Sequence, residues 1–383
     1  MLLMLTLAGA AWSAPFTPAS DSEVLETLPG RHTPERLRDL RDMRAAWARQ
    51  PQDPDIAARL ARRYYDEVAA EGDPRWVGYA QAVLGPWWTA PSPPPRVRVM
   101  RAVLRQFNHE FDAALADLEA AASQDPTLGE AWAWQAAIHM VRADYPAARR
   151  ACERFAPMAS PLIAVACTAG ADSLSGQAEA AARALRVALA AAPGADAAER
   201  LWALTRLAEI EERLGRHREA EAAFREAAAL GLVDNYLLAA YADFLLDRQR
   251  PAEVLALLDG RGRSDTLLLR LVLAAHRLGD ARLGAWQAEL AARFEAARRS
   301  RSTHEKEEAR FLMATRPEDP RALELARHNF EVQREPADAR VLLEAALARR
   351  DPAAARPVLD WMARWKVQSV ALQALAEQLK GLR

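Results

Sequence analysis

Apolar residues along this chain recur at the spacing of helices. Ile56, Leu60, Tyr64 and Val68 form one face, and Trp76, Tyr79, Ala80, Val83 and Leu84 answer it after a break at Gly72, Asp73 and Pro74. No stretch alternates polar and apolar over a useful length, so the pattern predicts an all-α protein. Further on the faces repeat in register. Trp132, Ala136, Tyr145 and Ala148 fall on two short helices joined by Arg142, Ala143 and Asp144. Phe111 to Tyr145, Ala114 to Ala148 and Leu118 to Cys152 are each 34 residues apart, the period of a helix-turn-helix unit. The small residue opening each second helix is in turn Ala114, Ala148, Ala181, Ala220, Val254 and Gly284, with steps of 34, 33, 39, 34 and 30.

The inter-helix turn is clearest at Leu214-Gly215-Arg216-His217-Arg218-Glu219-Ala220 and returns at Leu278-Gly279-Asp280-Ala281. Glycine suits such a turn because it accepts the left-handed backbone. These residues resemble the tetratricopeptide repeat family, over 96–293 in about six repeats and more loosely over 339–363. Gln135 and Gln249 depart from the pattern, standing where it prefers an apolar residue and Gly. The resemblance implies a right-handed superhelical solenoid of antiparallel helix pairs whose first helices line a concave groove for a protein or peptide. It makes Trp134, Trp202, Arg206, Glu209, Tyr236, Asp243, Arg270 and His276 the candidates for that groove. Trp132 is then a packing residue. A second reading of function is a structural spacer or assembly subunit whose contacts lie at its ends and through Pro91–Pro95.

The expected organisation is a signal peptide at 1–13, a lead and helix at 14–52, and a helical hairpin with a Pro-rich joint at 53–95. The array at 96–293 follows, then helical repeats and a polar-faced cap at 294–383. Gly85–Pro95 is expected to run extended, since Pro91, Pro93, Pro94 and Pro95 cannot continue a helix. The run 297–310, with Arg298, Arg299 and Arg301 before Glu305, Glu307 and Glu308, is expected as a solvated helix or connecting loop.

Composition narrows the function more than the fold. Hydrophobic residues are 51% but aromatics only 7%, with Ala supplying much of the difference, which suits closely packed helices. The chain carries 51 basic and 52 acidic side chains, so no net field draws nucleic acid or an anionic membrane. The apolar run Leu2–Ala11 is too short to span a bilayer, and no other run is long and charge-free enough to do so.

Catalytic patterns fail one by one, and neither an enzymatic role nor a cofactor or metal is expected. His304-Glu305 is followed by Glu308 where a zinc helix needs its second His. Gly260-Arg261-Gly262 leads to Asp265 with no strand before it, which rules out a dinucleotide loop.

Leu2–Ala11 is an apolar run followed by the small-x-small triplet Ala11-Trp12-Ser13, the form of an export signal with Ala14 as the mature start. No Lys or Arg precedes it, and an ordinary apolar first turn of a cytoplasmic protein is the other reading. Export to a periplasm would expose Cys152 and Cys167 to oxidising conditions. The two cysteines sit on facing helices across a connection containing Pro157 and Pro161, where a bond and two buried thiols are both open.

Overall fold

A computed structural model describes residues 38–300 and 304–382; the expected signal peptide lies outside them. Among these residues there are 21 α-helices and no strand. The first are α1 (Arg38–Arg49), α2 (Pro54–Glu71), α3 (Arg75–Val83) and α4 (Gly85–Trp88). Hairpins follow as α5 (Pro95–Phe107) with α6 (Phe111–Gln124), α7 (Gly129–Val141) with α8 (Tyr145–Phe155), and α9 (Pro161–Ser173) with α10 (Ala178–Ala191). Next come α11 (Ala197–Arg213) with α12 (His217–Ala229), α13 (Asn235–Asp247) with α14 (Pro251–Leu257), and α15 (Asp265–Leu278) with α16 (Leu283–Ser300). The chain ends in α17 (Glu305–Thr315), α18 (Arg321–Val332), α19 (Pro336–Ala348), α20 (Arg356–Trp365) and α21 (Val370–Lys380). Each first helix touches the next, from α2 through α5, α7, α9, α11, α13, α15 and α17 to α19. The chain is an all-α helical repeat solenoid.

The repeat is held in register by one backbone conformation. Gly72, His109, Ala143, Gly176, Gly215, Gln249, Gly279 and Arg350 all have positive φ, between 52° and 83°, and each ends the first helix of its hairpin. Five residues after each of the six turns from His109 to Gly279 stands the residue that opens the second helix, Ala114 to Gly284. Five after Arg350 stands Ala355, fully buried. Only half of these turn residues are glycine. The left-handed conformation costs other L-residues roughly 1–2 kcal/mol, so packing of the two helices imposes the turn at His109, Ala143, Gln249 and Arg350. Ala114, Ala148, Ala220 and Val254 are all fully buried, which lets the paired helices approach.

The sixth landmark differs. Gly284 is exposed, and a Cβ there would meet nothing within 4 Å; Leu290 and Phe294, a turn and more later, carry the buried face of α16. The Pro-rich joint also corrects its expectation, because Gly85–Trp88 forms one helical turn, bends follow at 89, 91 and 92, and Pro95 opens α5. Buried arginines pin this joint. The Arg101 guanidinium donates to the carbonyls of Trp87, Trp88 and Ala90 at 2.8, 3.0 and 2.9 Å, and its Nε donates to Asp117 at 2.7 Å. Arg98 and Arg105 complete the ring around Asp117.

The array then curls until distant hairpins meet. The Arg334 amide donates to the Val141 carbonyl at 2.7 Å, Trp361 Nε1 to the Tyr145 hydroxyl at 3.0 Å, and the Ala178 amide to the Gln368 side chain at 2.8 Å. A Cβ on Gly176 would lie 3.2 Å from Lys366, and one on Gly215 3.0 Å from Val370. The C-terminal helices thus lie along the row of left-handed turns of the middle hairpins. At the other end α2 reaches α13, and Gly72 sits where a Cβ would meet Ser264 at 2.5 Å.

Candidate functional site

The first helices turn a charged face inward, and the curl of the array brings those faces together. Asp243 on α13 accepts from Arg270 on α15 at 2.6 and 3.1 Å and from Arg310 on α17 at 2.8 and 3.0 Å. Burial pushes the Asp243 carboxyl upward, yet the two guanidinium groups overcome it and hold the carboxyl well below the usual range. One turn along α13, Asp247 pairs with Arg340 of α19 at 2.8 Å. Lys306 on α17 lies 3.2 Å from Asp338 on α19; burial disfavours its charge, but Asp338 and Glu307 raise its pKa well above the ordinary value. These pairs close the concave face along its length from α13 to α19.

Residues 305–310 of the run are therefore not a solvated connection. The described part of it contributes Lys306, Glu307 and Arg310 to the inner face, and Glu308 is buried against Arg298. Opposite charges cluster there partly for one another, as in Arg298 with Glu308, and partly for other hairpins, as in Lys306 with Asp338 and Arg310 with Asp243.

Glu212 is the odd group inside. Burial first, then Asp247 and Asp243, raise its carboxyl to about 8 against the pull of Arg340. Beside it Arg213 has its pKa lowered by burial; it donates to Ser173 at 2.8 Å and leaves its Nε without a partner.

The candidates divide by what closes over them. Trp134 packs edge-on against Tyr65, ring centres 5.8 Å apart, as part of the N-terminal core. Asp243 and Arg270 are locked by Arg310. His276 stands exposed in the last turn of α15. Trp202, Arg206, Glu209 and Tyr236 remain. Arg206 donates to Glu209 at 3.1 Å, and the Tyr236 hydroxyl donates to the other oxygen of Glu209. Trp202 is 37% exposed and Tyr236 51%, among the few large apolar side chains left open on first helices. This quartet on α11 and α13 forms a mouth on the charged face where Glu335, at the start of α19, lies within electrostatic reach of Arg206 and Tyr236 but the aromatics stay open.

Sequence reading missed Lys306, Arg310, Asp338 and Arg340. Partners 67 and 93 residues apart, as in Asp243–Arg310 and Asp247–Arg340, leave no local spacing to detect. Cys152 on α8 and Cys167 on α9 are joined in a disulfide, Cα atoms 5.6 Å apart. Among the described residues no helix is long and apolar enough to cross a membrane, and no group of His, Cys, Asp and Glu could hold a metal ion.

No protein-family model and no curated protein matches the chain. Among solved structures it is similar to a tetratricopeptide repeat protein from Parabacteroides merdae ATCC 43184, at 12% identity over 62% of this chain and 92% of that one, TM-score 0.46. It is similar to the APC/C hetero-tetramer Cut9-Hcn1 at 13% identity over 86% of this chain and 64% of that one, TM-score 0.49. Its similarity to the P58(IPK) TPR domain runs at 14% identity over 90% and 92% of the two chains, TM-score 0.23. The resemblance to tetratricopeptide repeats rests on this chain's own register of hairpins and left-handed turns.

Proposed function

We propose that this chain is a scaffold that holds a protein or peptide at the mouth formed by Trp202, Arg206, Glu209 and Tyr236. The observation that carries the reading is the pair of exposed aromatics on neighbouring first helices, with an ion pair between them, beside a concave face that the chain closes on itself. Large aromatics and Arg are the side chains that most often dominate binding energy. A segment that places an apolar anchor against Trp202 and Tyr236, and charges of either sign against Arg206 and Glu209, fits the mouth. Asp243, Asp247, Lys306 and Asp338 already have partners on other hairpins that hold the curl.

The test uses the partner that co-purifies from the native host. Trp202→Ala with Arg206→Ala weakens that complex by more than about 2 kcal/mol, while His276→Ala leaves it unchanged and circular dichroism shows the helices intact. Full affinity in the double variant moves the reading to an assembly subunit contacted at its ends.

The compartment we propose is an oxidising one, a bacterial periplasm, with a mature start near Ala14. The Cys152–Cys167 bond supports it, since such bonds are rare where thiols are kept reduced. Mass spectrometry of natively expressed protein decides the point: an intact Met1 and two free thiols in a cytosolic fraction contradict it.

A further inference from the structure

The second helices face away from the curl, and those on either side of α10 are covered with charge. The exposed positions of α8 include Arg149, Arg150, Glu153 and Arg154, and those of α12 include Arg218, Glu219, Arg225 and Glu226. Between these two, α10 breaks the rule. Its inner face, with Ala181, Ala182, Leu185 and Leu189, is buried like any other. Its outer face carries a second apolar row at Ala184, Val187, Ala188 and Ala191, the spacing of a helix that meets another helix. Val187 is 69% exposed, the most open large apolar side chain among the described residues. The row lines one side of a cleft of about 670 Å³ whose other walls include Leu162 and Val165 of α9 and Ala192 and Ala195 of the following loop.

Two charges mark the ends of this cleft. Arg183 stands near the start of α10, and Glu199, in the first turn of α11, stands beyond its end. Both lack a close ion-pair partner among the described residues. Glu179 lies 3.9 Å from Arg183 and is already held by Arg216, and Glu199 only accepts from the Ser160 hydroxyl at 3.0 Å. The patch therefore combines an open apolar row that lines the cleft with one cation on α10 and one anion at the start of α11.

We infer that this face binds a second copy of the chain, α10 against α10 in antiparallel fashion about a two-fold axis. A two-fold contact requires a surface complementary to itself, and this one is: rotation places Arg183 of one copy on Glu199 of the other, twice over. Val187 of each copy enters the cleft of its partner, and the alanines permit the two helix axes to approach. Antiparallel packing also opposes the two helix dipoles. An unrelated apolar partner would explain the row and the cleft but not the opposite charges at equivalent ends.

Sedimentation and light scattering over a concentration series test the inference on the full chain. The expected result is a monomer–dimer equilibrium whose dissociation constant rises at least about tenfold in Val187→Glu, with helical content and melting unchanged. Arg183→Glu and Glu199→Lys each weaken the dimer, and the two together restore it. With the native cysteines bonded to each other, Val187→Cys supplies a single free thiol, and oxidation links it across the axis while Glu219→Cys on α12 stays unlinked. A chain that is monomeric at every concentration overturns the inference, as does a dimer indifferent to Val187→Glu or a charge swap without rescue. Val187→Glu and Arg183→Glu lie on α10, away from the mouth, so with these two variants partner binding through Trp202 is read independently.

Discussion

The two halves of the concave face start from the same materials and end differently. Around Asp243 and Asp247 the inner charges of α13 meet Arg310 and Arg340, delivered from two and three hairpins further along. Around Arg206 and Glu209 the same kinds of side chain meet each other and the hydroxyl of Tyr236, and the aromatics stay open. In a curled array, position on a first helix does not decide whether a side chain binds a partner. What decides it is whether a later hairpin supplies a direct ion-pair partner, as Arg310 and Arg340 do and Glu335 does not.

Removing a closing group should have the largest effect. Arg310→Ala strips one of the two cations from Asp243 and leaves a partly buried carboxylate undercompensated, a change that costs about 3–5 kcal/mol for buried pairs. Urea unfolding measures it, and Arg206→Ala at the mouth should cost far less. The Asp243 contribution depends on pH in a definite sense. Its folded pKa is depressed, so the stabilisation is full above the unfolded value near 3.8 and is lost as pH falls toward the folded one. The penalty of Arg310→Ala should shrink correspondingly in acid.

Next in size is the staple between α8 and α9. Cys152→Ala with Cys167→Ala opens a loop of 15 residues, worth roughly 3 kcal/mol in the chain-entropy model. Because the bond lies outside both halves of the concave face, partner affinity should be unchanged at temperatures where the variant stays folded.

Glu212 sharpens the comparison from the other side, since closure places it among acids. Its folded pKa near 8 stands above the ordinary 4.5, so between those values the native state holds a proton that the unfolded chain has released. Stability due to this group falls as pH rises through that window. Glu212→Gln should raise the melting temperature at pH 8, by an amount on the order of a few kcal/mol in stability, and hardly at all near pH 4.5. A gain that does not depend on pH would mean Glu212 is ionised throughout.

The smallest expected effect concerns the turns. Gln249 adopts φ 58°, and Gln249→Gly should stabilise by up to about 1 kcal/mol, since glycine takes this conformation without strain. The same change at Ala143, φ 58°, gives a replicate on the other side of the mouth.

These turns show what the sequence made legible. Fully buried Ala114, Ala148 and Ala220 announce the hairpins because close helix packing admits few residue types. His109, Ala143, Gln249 and Arg350 hide the same turn, because packing energy imposes the backbone and erases the glycine that would have marked it. Of the eight groove candidates that the family resemblance implied, Trp202, Arg206, Glu209 and Tyr236 come together, because helical spacing and repeat phase put them on adjoining faces. The closing partners could not be read that way, because an ion pair 93 residues apart in sequence is a property of the curl. Gly284 misled for a local reason: it starts α16 before that helix reaches its packed face at Leu290.

The closure itself is tested most directly by a double-mutant cycle on Asp247 and Arg340, which belong to hairpins three steps apart. Stabilities of Asp247→Asn, Arg340→Gln and the double variant, from urea unfolding, yield the coupling between them. The account predicts a favourable coupling of about 1–3 kcal/mol. Additive losses, with coupling below about 0.3 kcal/mol, would contradict the closed face and reopen the whole groove to a partner.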